Sequence, residues 1–201
     1  MEKILNKKTP YFFFIRFFAC FFILYLFFPF YRGVIGPGGK IYSSYLESHF
    51  NIITSFTRLL TSSAKLFLEA AGYDIYQKNY NSLRIGYSKG VHVNPSCLGW
   101  AVMSFWVAFV FANTGSVKHK VKWMLTGLVS IILLNITRIA LITVANHLRW
   151  APLTSLDHHT TFNLASYVCI IILIMRYIRI QKKYERTDFA AKRTGHTLVA
   201  V

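Results

Sequence analysis

The run "YFFFIRFFACFFILYLFFPF", residues 11–30, decides the fold class. Arg16 is its only charge. About 20 apolar residues are what an α-helix needs to cross a hydrocarbon core of about 30 Å. Arg16 lies near the starting edge, where its long stem lets the guanidinium snorkel to the headgroups. Lys3, Lys7 and Lys8 precede the run, as bases also precede the apolar core of a secretory signal peptide. That core is usually shorter, about 7–15 residues, and no small-x-small cleavage site follows here. The sequence therefore predicts a retained transmembrane span.

Outward from this run, three more apolar stretches cover about 97–113, 123–145 and 160–180. The chain is 54% hydrophobic and only 15% charged, whereas a soluble domain carries about 25% charged residues. A water-soluble bundle of four such helices would lack polar surface to coat them. The expected fold is an all-α integral membrane protein with about four transmembrane helices. Residues 1–186 form a single membrane-embedded domain, and the polar tail 187–201 is expected to be disordered and cytoplasmic.

The segment 31–96 leaves the first span through the turn-rich "GVIGPGG". Residues 45–73, "YLESHFNIITSFTRLLTSSAKLFLEAAGY", repeat apolar residues at helical spacing but are broken by Glu47, Arg58, Lys65 and Glu69. They predict one or two amphipathic helices in the membrane interface, ended by Gly72. The alternating "YDIYQKNYNSLRIGYSKGVHV", residues 73–93, predicts a short β-hairpin.

Seven acids stand against 23 Lys and Arg, a formal charge of +16. The bases flank the apolar runs, which excludes nucleic acid as the partner and points to the lipid bilayer. Lys3, Lys7 and Lys8, then Lys118, Lys120 and Lys122, then Arg176, Arg179, Lys182, Lys183 and Arg186 all fall on one side of a four-span chain. The positive-inside rule makes that side the cytoplasm. Both termini are expected there, with 31–96 and 146–160 outside.

Three polar features then share the outer side. Cys97 lies in "VNPSCLGWAV", residues 93–102, at the start of the second run. Asn135 and Arg138 share one helical face in "LLNITRIALITVANH", residues 133–147, with Arg138 roughly 10 Å deep at 1.5 Å per residue. Asp157, His158 and His159 head the last run. Each has a plain alternative: packing for Cys97, snorkelling for Arg138, helix capping for Asp157. Two polar residues on one membrane face make a lipid-facing orientation doubly costly for Arg138. Together the three form a thiol acyl-transfer set. An imidazole takes the thiol proton, a guanidinium and a helix N-terminus favour the thiolate, and the cation holds the oxyanion. Cys20 and Cys169 lie within apolar runs as packing residues. No cofactor or metal is expected. A zinc site from His92, Cys97, Asp157 and His158 has suitable ligand types but no ligand spacing. The third alternative is a non-catalytic scaffold or transporter subunit.

"NPSCLGW", "NITRIAL" and "DHHTTFN" in this order resemble the exosortase/archaeosortase family of membrane cysteine transpeptidases. The resemblance covers about residues 72–178. It implies Cys97 as nucleophile, Arg138 as oxyanion or thiolate stabiliser, and His158 as base. His159 is the alternative base; Phe162 and Asn163 suit the family register counted from His158. It further implies a multi-pass protein of the prokaryotic cytoplasmic membrane with an extracytoplasmic site. Its partners would be exported proteins with a C-terminal tripartite sorting signal, and a cell-surface acyl acceptor. Many members have about eight spans, where this chain presents the core four.

Overall fold

The computed structural model describes residues 2–39, 41–150, 164 and 167–183, with side chains from residue 11 on, that of Ser96 excepted. Asp157, His158, His159 and the tail 187–201 lie outside the described residues, as does the start of the 160–180 run.

The first apolar run forms α1, Glu2–Ile35. Within it Tyr11–Ile35 is long and apolar enough to cross a membrane, as is Val117–His147, the helix α5. Between them lie α2 (Ser44–His49), α3 (Ile52–Ala70), three short strands, a 3-10 turn over Pro95–Leu98 and α4 (Trp100–Ala112). Residues 167–183 are helical. The chain is thus mostly helical with a small sheet, as expected of an all-α membrane protein.

Several boundaries differ from the expected ones. The second apolar helix does not begin at Cys97. Cys97 lies in the 3-10 turn, and α4 starts three residues later at Trp100. At 13 residues, α4 is about 20 Å long, short of a full hydrocarbon core. The third helix begins at Val117, not 123, because Ser116 caps it by accepting from the His119 amide at 3.4 Å. Lys118, Lys120 and Lys122 therefore ride on its first turns and not in a loop.

The amphipathic segment is resolved into α2 and α3. Asn51 caps α3 through the Thr54 amide (2.9 Å), and Gly72 ends it at φ +87°. The amides of Gly72 and Tyr73 reach back to the Glu69 and Leu68 carbonyls at 2.9 and 3.1 Å, the paired bonds that a left-handed residue past a helix end permits. α3 buries Leu60, Ala64 and Leu68 against α5 and the sheet. The expected hairpin has a third strand. β1 (Ile75–Tyr76), β2 (Ser82–Ile85) and β3 (Val91–His92) form an antiparallel meander in that order. Gly90 makes the return possible, since a Cβ there would lie 3.0 Å from the Leu83 carbonyl oxygen. Ile75, Leu83, Ile85 and Val93 point into the core, together with Leu98 from the 3-10 turn and Ile139 and Ala140 from α5.

A second cluster lies farther along α5. Trp106 of α4 is fully buried among Met103, Val110, Ile131 and Tyr177. Its indole donates to the Trp123 carbonyl at 3.0 Å and fills a notch at Gly127. α1 packs along α4 through phenylalanines, with Phe17 and Phe105 rings 5.4 Å apart edge to face.

Candidate active site

The chain approaches Cys97 from the sheet. The Val93 amide donates to the Asn81 carbonyl at 2.8 Å, fixing the exit from β3. Asn94 is extended, and Pro95, which has no amide hydrogen to leave unsatisfied, opens the 3-10 turn. The Cys97 amide closes that turn on the Asn94 carbonyl at 2.8 Å. Gly99 then takes φ +72° and redirects the chain, so that the Met103 amide finds the Gly99 carbonyl at 3.0 Å and α4 begins. The half-buried thiol thus sits on a ledge between sheet and helix, packed against the cluster that holds Leu98.

The ledge is fastened from α5. Asn135, only 8% exposed, donates its Nδ2–H to the Leu98 carbonyl at 3.0 Å. A buried amide without a partner is costly, so this bond satisfies the side chain and holds the backbone next to Cys97. The fit is close: a Cβ at Gly99 would come 2.5 Å from Asn135 Nδ2. Glycine is required there twice, for its positive φ and for its missing side chain.

Arg138 follows Asn135 by three residues on α5, on the same face, and is half-buried. α5 continues to His147, so Arg138 lies about 14 Å from that end at 1.5 Å per residue, somewhat deeper than expected. The His147 end of α5 carries the sheet: the Tyr73 and His147 rings meet edge to face at 6.2 Å. Of the expected site residues, the structure therefore joins the Cys97 turn to the helix bearing Asn135 and Arg138. Asp157, His158 and His159 lie outside the described residues. Of the zinc alternative's four residues, His92 is engaged on the sheet by Asn81 at 3.1 Å. Gly99 was not singled out by sequence reasoning; its signal was a glycine between the thiol and the apolar run.

The profile of the transmembrane exosortase family matches residues 41–176, roughly two thirds of the chain. The chain belongs to the transmembrane exosortase family. The match reaches back beyond the resemblance read from residue 72 and takes in α2 and α3. It contains Cys97, Asn135, Arg138 and the 157–159 segment. Exosortase membership, with the long apolar helices, makes this a membrane protein of sorting-signal processing, in a family of cysteine transpeptidases. No curated protein and no solved structure matches the chain.

Proposed function

We infer that the chain is a membrane-embedded cysteine peptidase or transpeptidase that cleaves the C-terminal sorting signals of exported proteins through a thioester on Cys97. The observation that carries this reading is the 3.0 Å bond from Asn135 to the Leu98 carbonyl. It ties the only cysteine-bearing turn outside the apolar helices to the helix that carries Arg138.

The roles follow from the chemistry. The Cys97 sulfur, its proton passed to His158, attacks the scissile carbonyl. The tetrahedral oxyanion is held by the Arg138 guanidinium. As the intermediate collapses, His158 returns the proton to the leaving amine and the acyl group remains on sulfur. Water, or a nucleophile of a cell-surface acceptor, then attacks the thioester with His158 taking its proton. The basic segments Lys118–Lys122 and Arg176–Arg186 favour the cytoplasm by the positive-inside rule. This puts Cys97 and the sheet on the extracytoplasmic side.

Arg138 tests the reading. Lysine carries the charge but not the planar fork of donors, and an oxyanion donor is worth about 100- to 1,000-fold in rate. Arg138→Lys should lose most precursor cleavage while accumulating normally in the membrane. Arg138→Leu should insert at least as well and be inactive. Cleavage of a co-expressed precursor at matched membrane levels decides between this and simple snorkelling. Near-normal activity of the lysine variant would remove Arg138 from the site.

A further inference from the structure

A half-open cleft of about 360 Å³ lies between α1, α3, α4 and α5, and Leu98, next to Cys97, is in its lining. Its surface is apolar almost throughout. Phe28, Ile53, Phe56 and Ile132 line it, and the same four side chains pack with Cys97 against one core cluster. Ile132 and Leu128, also in the lining, precede Asn135 on α5 by about one and two turns. The cleft therefore extends from the ledge away from the sheet, toward the middle of the apolar helices. Two of its lining side chains are held by hydrogen bonds. Trp100 donates its indole N–H to the Leu24 carbonyl at 2.8 Å, and Tyr31 turns its hydroxyl away to the Phe50 carbonyl. An apolar cavity of about 150 Å³ stays dry and holds a benzene ring; this one has room for two large apolar side chains.

We propose that this cleft is a substrate subsite, taking bulky apolar side chains of the sorting signal on the membrane side of the scissile bond. The occupant follows from continuity. The thiol packs in one cluster with Leu98, Phe28, Ile53, Phe56 and Ile132, all five of which line the cleft, so a peptide bond presented to Cys97 carries its membrane-ward neighbours into an apolar, uncharged space. An aliphatic or aromatic side chain is stabilised there, and a charged one is refused. Specificity on that side of the bond is then set by apolar volume and not by hydrogen bonding. The proposal rests on Cys97 being the nucleophile named above.

A homologous series of N-alkylmaleimides probes the cleft without requiring turnover. In full-length protein carrying Cys20→Ala and Cys169→Ala, only Cys97 reacts. A methylene buried in an apolar site gains about fourfold in affinity. N-butylmaleimide should therefore label Cys97 at least about tenfold faster than N-methylmaleimide. Val107→Phe, which fills the cleft from α4, should cut that ratio to the value set by bilayer partitioning while leaving the N-methyl rate unchanged. Leu128→Ala, which enlarges the cleft, should shift the optimum to a longer chain. One ratio common to all three proteins overturns the subsite and leaves the proposed function standing. So does a wild type that prefers no chain length, the result if a lipid tail holds the cleft. A Cys97 that no maleimide reaches overturns both the subsite and the nucleophile.

Discussion

Asn135 and Gly99 form the contact on which the thiol's position depends. Asn135→Asp keeps the shape and removes the donor, setting a carboxylate against the Leu98 carbonyl oxygen. It should abolish most precursor cleavage. Asn135→Ala leaves that buried carbonyl without its partner, a cost of about 1–3 kcal/mol. Gly99→Ala forces an alanine to φ +72°, about 1–2 kcal/mol, and drives its methyl into the Asn135 amide. In the Asn135→Ala background the collision disappears and only the backbone term remains. The double variant should therefore be less impaired than the two single effects predict when summed. Thermal stability in detergent, measured across the four proteins, checks this. Strict additivity would mean the two residues do not meet. Cys97, Asn135 and Arg138 can be proposed from the sequence because polar groups at the edge of, or inside, apolar runs are expensive and conspicuous. Gly99 cannot, because its requirement arises from a side chain 36 positions away.

The elements show where apolar periodicity is a good guide and where it is not. α1 and α5 are legible as spans because each carries a long apolar run whose only charge is a single arginine, Arg16 in one and Arg138 in the other. Helix α5 starts six residues before the apolar run at 123. Its first turns are basic and amphipathic, and the Ser116 cap that actually starts the helix outweighs them. The 3-10 turn at Cys97 was read as a helix start, since Pro95 at a first-turn position fits both; the difference lies in the positive φ of Gly99. The α4–α5 pair depends on a contact between tryptophan and glycine that sequence pattern does not reveal. A Cβ at Gly127 would stand 1.9 Å from Trp106 Nε1, so Gly127→Ala must displace the indole and break its bond to the Trp123 carbonyl. Overpacking of this kind costs about 1–3 kcal/mol. Gly127→Ala should lower the thermal midpoint in detergent, and Trp106→Phe combined with it should recover part of the loss. An unchanged midpoint for Gly127→Ala would show that the two helices do not meet at this notch.

At the scale of the whole molecule, the proposed orientation rests on the charge distribution, and the sheet marks one end. Tyr87 is fully exposed on the meander and Lys118 is exposed at the opposite end of α5. With the three native cysteines replaced by alanine, Tyr87→Cys should react with a membrane-impermeant maleimide in intact cells. Lys118→Cys should react only after permeabilisation. The opposite pattern would invert the topology and put the site in the cytoplasm. The acyl-transfer account is tested most directly by the bond it requires. The purified full-length protein, incubated with a co-expressed exported precursor, should yield an adduct on Cys97. That adduct should survive denaturation, release its acyl group to neutral hydroxylamine, and be absent from Cys97→Ala. A precursor processed equally well by Cys97→Ala, with no hydroxylamine-labile adduct on the wild type, would contradict the account.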